Sequence, residues 1–94
     1  MKFEWDPVKA EKNARKHGVD FEVAARVFLD PMRLEVFDAD HVEDEDRWRI
    51  IGMVDPVVLV VIYTERGPAG ESIRIISARK ANEQERKAYH SIRA

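Results

Sequence analysis

Seven consecutive apolar residues, Val57 to Tyr63, constrain this chain more than any other stretch. A strand with one wet face alternates apolar and polar residues, whereas a strand covered on both faces is apolar at every position. The run therefore predicts a central strand with both faces buried. It is far too short to span a bilayer. The mixed, charged start Met1-Lys2-Phe3-Glu4-Trp5-Asp6 does not read as a signal peptide.

Neighbouring segments supply the rest of a sheet. Leu34 to Phe37, Arg47 to Met53 and Ile73 to Ser77 have strand character, and Phe3-Glu4-Trp5 suits a short edge strand. Period-two alternation sets Trp48 and Ile50 on one face and Arg47, Arg49 and Ile51 on the other. The connectors Asp38 to Asp46, Val54-Asp55-Pro56 and Glu65 to Glu71 are of hairpin length, which argues for an antiparallel sheet of about four strands.

Helices flank these strands. Asp6 is a favoured N-cap, Pro7 fits the first helical position, and Lys16-His17-Gly18 suits a C-terminus. Trp5, Val8 and Ala14 are the expected anchors of this mostly charged helix. A second helix starts at Asp20, carries Val23, Ala24, Val27 and Phe28 as one stripe, and stops at Asp30-Pro31. The closing helix is capped by Asn82, with Glu85 three residues on as in a capping box, and offers Ala81, Tyr89 and Ile92 as its apolar side. The order β-α-α-β-β-β-β-α reads as an α+β fold. With 94 residues, 45% of them hydrophobic, residues 1–94 are expected to form one domain.

Charge is distributed unevenly. Residues 1–46 carry 7 basic and 13 acidic side chains, residues 72–94 carry 6 basic and 2 acidic, and the whole chain has a net charge of −2. A polyanion would be drawn to the C-terminal quarter and repelled by much of the rest. This is not the uniformly basic composition of a nucleic-acid coat; it suits a local anion site or a charged partner. The lack of cysteine excludes disulfides and thiolate metal sites and fits a reducing cytoplasm.

Three stretches taken together resemble the BrnT toxin family. They are Phe3-Glu4-Trp5-Asp6 with Asn13, leading into Lys16-His17-Gly18-Val19, Phe21, Phe28 and Asp30-Pro31; Glu45-Asp46-Arg47-Trp48 with Gly52; and Val60 to Glu65 with Arg74-Ile75-Ile76-Ser77-Ala78-Arg79-Lys80-Ala81 and Glu85-Arg86 to Tyr89. The resemblance covers nearly the whole chain. It implies a RelE-like fold with two N-terminal helices, an antiparallel sheet and a C-terminal helix. It also implies a type II toxin that cleaves RNA without a metal or cofactor and inhibits translation and growth. The implied partner is a ribbon-helix-helix antitoxin of the BrnA type, in a two-plus-two complex that touches operator DNA only through the antitoxin.

Metal-free RNA cleavage needs a base for the ribose 2′-hydroxyl, cations for the phosphate, and an acid for the departing 5′-oxygen. His17 is the best acid or base candidate, since imidazole as a side-chain type serves both roles near neutral pH, and it stands beside Lys16 at a helix end, where both also suit the helix dipole. Arg47 and Arg49 point one way and form a candidate phosphate clamp, or simply balance the acidic run before them. Arg79 with Lys80, at a strand end beside a helix N-terminus, is the preferred phosphate pair. Strict alternation puts Arg74 and Arg79 on opposite faces of their strand. Glu85 can act as a base or only as a capping residue. Tyr89, one turn on, can stack on a nucleobase or sit in the core; Arg86 can reach phosphate.

Residues 38–46 hold six carboxylates but lack the glycine and ligand spacing of a calcium loop; such runs are mostly solvated loops, and the sharper reading is a surface that meets a basic antitoxin and sets the association rate. His41 and His90 read as surface residues. Catalysis requires that His17, Arg47 and Arg79 gather around one exposed pocket. The competing reading is a non-catalytic module that binds the antitoxin and acts in operon autoregulation. Direct DNA binding is disfavoured, because no helix has a sufficiently basic face.

Overall fold

The computed structural model describes residues 1–37 and 46–91. In chain order the elements are β1 (Lys2–Glu4), α1 (Pro7–His17), α2 (Phe21–Ala25), a 3-10 turn (Arg26–Leu29), β2 (Leu34–Phe37), β3 (Trp48–Val54), β4 (Val57–Arg66), β5 (Ser72–Lys80) and α3 (Glu83–Ser91). The five-stranded sheet has the order β1-β5-β4-β3-β2. Strands β2 to β5 form the expected antiparallel meander. The edge strand β1 adds a fifth strand, parallel to β5, so the sheet is mixed.

The apolar run lies in β4 at the centre of the sheet and feeds two cores. Leu59, Val61 and Tyr63 face α1 and α2 and pack with Phe21, Ala24, Val27, Ile50, Ile73, Ile75 and Ala78. Val58 and Val60 face α3 and pack with Ile51, Ala81 and Tyr89. Burial on both sides explains why β4 has no polar alternation.

Helix α1 starts and stops as expected. The Asp6 carboxylate accepts from the N–H of Val8 at 2.8 Å, and Gly18 takes the left-handed conformation that ends the helix, with φ 70°. Its anchoring differs from expectation. Val8 is 60% exposed, whereas the inner face is Ala10, Asn13, Ala14 and His17, one stripe at helical spacing. Asn13 is buried there and bonds the backbone of Val19 and Ala78.

The second helix is shorter than its apolar stripe and tightens into the 3-10 turn at Arg26. Asp30 then ties three elements together. Its carboxylate accepts from Met32 N–H at 2.9 Å, from Met53 N–H at 2.8 Å and from the Tyr89 hydroxyl at 2.5 Å. Gly52 allows this approach, since a Cβ there would come within 2.6 Å of Val27 Cγ1. The two-residue β3–β4 turn carries a cis Asp55–Pro56 bond. The acidic connector up to Glu45, with His41, and Ile92, expected on the apolar side of the closing helix, lie outside the described residues. No helix among the described residues is long and apolar enough to cross a membrane.

Candidate active site

A bulge in the β4–β5 ladder decides which side chains share a face. Ile62 pairs with Ser77, but Tyr63 pairs with Ile75. Ile73, Ile75 and Ala78 consequently all face the α1/α2 core, so the parity of β5 reverses at Ile76. Arg74 and Arg79, which strict alternation separates, come to lie on the same face, the one carrying α3. This reverses the expectation for the pair.

The register fills in that face. Arg49, Ile62 and Ser77 form one row across β3, β4 and β5, and Ile51, Val60 and Arg79 form the next. Arg49 and Ser77 are two strands apart, roughly 10 Å between backbones. Arg47, one residue before β3, is level with Thr64 and Arg74. Ala81, just before α3, and Tyr89 of α3 cover the rows near the β3–β4 turn. Arg49, Ile62, Arg74 and Ser77 lie beyond that cluster and are half-buried.

Arg79 and Glu85 join the open face to α3. Arg79 Nη1 donates to Glu85 Oε1 at 2.7 Å, and Nη2 donates to Oε2 at 2.9 Å. The capping box forms as well. Asn82 N–H donates to Glu85 Oε1 at 2.9 Å, and Glu85 N–H donates to Asn82 Oδ1 at 2.8 Å. The Arg79 hydrogen bonds hold the Glu85 carboxyl below the usual carboxylate range against the opposing effect of burial, with help from Asn82 N–H and from the nearby Arg49 charge. Glu85 raises the Arg79 pKa in return. Arg49 Nε is buried and has no hydrogen-bond partner among the described residues.

The remaining candidates divide between the two sides. Lys80 follows Arg79 by one residue and so faces the opposite way, where it lines a cavity of about 290 Å³ with Gly18, Val19 and Asp55. His17 belongs to the inner face of α1, in the layer across the sheet from Arg79, and Lys16 beside it is exposed. The structure therefore groups Arg49, Arg74, Arg79 and Glu85, with Arg47 level with them, and places Lys16, His17 and Lys80 on the other side. His17 does not join the arginines in one pocket. Arg86 is turned back onto its own helix, with Nη1 donating to Ala81 O at 2.7 Å. Tyr89 is 1% exposed and held by Asp30, so packing takes the ring that base stacking would need. His90 is exposed. Arg74 reaches Glu4 on β1 at 3.5 Å.

Two side chains had no assigned role from sequence. Ser77 shares the face of Arg79 by plain alternation, two residues before it, and the bulge at Ile76 brings Arg74 to that face as well. Asn13 could have been found: it falls on the stripe of Ala10, Ala14 and His17, and a polar residue on an inner stripe must find partners. Among the described residues no group of three or more His, Asp or Glu side chains is placed to hold a metal ion. The arrangement offers planar donors for a phosphate from β3 and β5, beside an ionised carboxylate.

Comparison with known proteins agrees with this architecture. A family model described as the ribonuclease toxin BrnT of type II toxin–antitoxin systems matches residues 5–85. Among solved structures the chain is similar to the ribonuclease toxin BrnT of Brucella abortus, determined at 1.1 Å, with a TM-score of 0.66 and 28% identity over 88% of this chain and 99% of that one. No curated protein matches the chain. The family match spans the first helix, the bulged hairpin and the Arg79–Glu85 pair. The chain belongs to the BrnT family of ribonuclease toxins of type II toxin–antitoxin systems.

Proposed function

We propose that the face bearing Arg49, Arg74 and Arg79 binds single-stranded RNA, and that the chain cleaves it without a metal ion. The observation that carries this reading is the Arg49 Nε–H, a buried donor with no acceptor among the described residues, beside the charged Arg79–Glu85 pair. A phosphodiester placed there meets guanidiniums from two strands. Arg79 turns from Glu85 to the phosphate, which removes the largest cause lowering the Glu85 pKa. Glu85 becomes a stronger base and takes the 2′-hydroxyl proton. The 2′-oxygen attacks phosphorus, the bond to the 5′-oxygen breaks, solvent protonates the leaving oxygen, and a 2′,3′-cyclic phosphate remains. Arg47 supports the phosphate from the same end of the sheet. Lys16, His17 and Lys80 lie outside this step, which therefore does without the gathering of His17, Arg47 and Arg79 in one pocket that the sequence reading required.

On this reading residues 1–94 form one toxin domain that acts in the cytoplasm and stops growth by blocking translation. The partner is a ribbon-helix-helix antitoxin of the BrnA type, which alone contacts operator DNA. Induction of the chain in bacteria, with and without such an antitoxin, tests the physiology. Purified protein in excess chelator tests the chemistry: RNA ending in 2′,3′-cyclic phosphate supports the proposal, and RNA left intact by a folded protein overturns it.

One observation favours the non-catalytic alternative. Every Glu85 oxygen is already engaged, by Arg79 and by the cap. A chain that binds antitoxin and represses the operon while leaving RNA whole would match that state.

A further inference from the structure

At the end of the sheet farthest from the β3–β4 turn lies a cavity of about 300 Å³ lined by Asp46, Trp48, Thr64 and Glu65. We infer that this cavity is a nucleobase subsite selective for bases with an exocyclic amine, guanine above all, and against uracil. The inference rests on the ribonuclease reading of the adjoining arginine face and names the base that face would hold.

The lining argues for the occupant. Among the described residues two carboxylates and no cation line the cavity, so a phosphate is repelled from it. Trp48 is half-buried, packs against the α1/α2 core, is met edge-to-face by Phe37 with ring centroids 5.2 Å apart, and lines the cavity as its one aromatic side chain among the described residues. Unpaired RNA bases are recognised in this way, by stacking on an aromatic ring and by hydrogen bonds to their Watson–Crick edges. A carboxylate accepts from the amino groups of guanine, adenine or cytosine, and guanine presents two adjacent N–H donors to both of its oxygens. Uracil presents two carbonyls on either side of one N–H, and a carboxylate repels them.

The backbone beside the cavity is fixed by one hydrogen bond. Thr64 Oγ1 donates to the Asp46 carbonyl at 2.6 Å and pins that residue beside β4. The Glu65 carboxylate lies over Gly70, where a Cβ would collide with it. The neighbouring charges suit a nucleotide. Trp48 belongs to the α1/α2 face and Thr64 to the arginine face, where it pairs with Arg74, so the cavity takes its lining from both faces at the sheet's end, and a base there reaches the arginines past Thr64.

The test uses the intact chain and the four nucleoside 3′-monophosphates. The Trp48 indole N–H resonance is followed by NMR during titration with each, and cleavage of single-stranded oligonucleotides carrying one variable base is measured in parallel. Guanosine monophosphate is expected to shift the Trp48 signal at concentrations at least ~10-fold below those needed with uridine monophosphate, in line with the discrimination of one bidentate contact. Glu65→Gln is expected to remove that difference while the protein stays folded, and Asp46→Asn to reduce it. Equal responses to all four nucleotides, an unmoved Trp48 signal, or the same shift from magnesium ion alone each overturn the subsite. Base-selective shifts with no cleavage would uphold the subsite and overturn the ribonuclease reading instead.

Discussion

The Asn13 side chain pairs with the peptide of Ala78 as a strand would. Nδ2 donates to the Ala78 carbonyl at 2.8 Å, and Oδ1 accepts from the Ala78 N–H at 3.1 Å. This clasp joins positions 65 residues apart and holds Ala78 against α1. Arg79, next in the strand, must then face the other way, toward Glu85.

Asn13→Ala should therefore destabilise the chain by about 1–3 kcal/mol, because it strands buried backbone groups. Asn13→Asp should cost at least as much, since a carboxylate cannot donate to Ala78 O. Urea denaturation followed by circular dichroism checks both. A cost within error of zero for both variants would show that the clasp does not hold the register.

Glu85 makes stability sensitive to acid. Its folded-state pKa is depressed, so its contribution is fully present above the ordinary carboxylate pKa and is lost as pH falls through the lower, folded value. Glu85→Gln keeps an acceptor for the cap but loses the charge. Its stability should fall less between neutral and acid pH than that of the parent, as read from urea midpoints at each pH. Parallel midpoints for the two proteins would contradict the assignment.

RNA binding should separate the two faces. Arg49→Ala and Arg79→Ala should weaken single-stranded RNA binding and flatten its salt dependence, by about 0.7 in log–log slope for each phosphate no longer neutralised. Lys80→Ala and His17→Ala, on the other side, should leave the slope unchanged. Fluorescence anisotropy over a salt series measures this, and a larger effect from Lys80→Ala than from Arg79→Ala would move the site across the sheet.

If Glu85 is the base, Glu85→Gln should reduce cleavage by about 10²-fold or more with RNA affinity retained. Single-turnover assays at saturating protein make the distinction. Cleavage at the parent rate would leave Glu85 with its capping role alone.

Packing around Asp30 gives a pair of stability tests. Tyr89→Phe removes one hydroxyl and should cost about 1 kcal/mol. Gly52→Ala drives a methyl onto Val27 and should cost about 1–3 kcal/mol. Thermal denaturation reports both.

Local chemistry was enough to read much of this protein. The uninterrupted run from Val57 to Tyr63 marked the doubly covered strand, Asp6-Pro7 and Gly18 bounded α1, and Asn82 with Glu85 announced the final cap, because each of these rests on neighbours in the chain. The meander followed from connector length. What decided the site is non-local. One extra residue in the β4–β5 ladder reversed the parity of β5 and brought Arg74 round to join Arg79. The parallel pairing of β1, the burial of Tyr89 on Asp30 and the separation of His17 from the arginines depend likewise on packing between distant segments. A periodic pattern names the two faces of an element, but only the packed structure chooses which face meets which partner, since that choice is made by register and burial across the whole sheet.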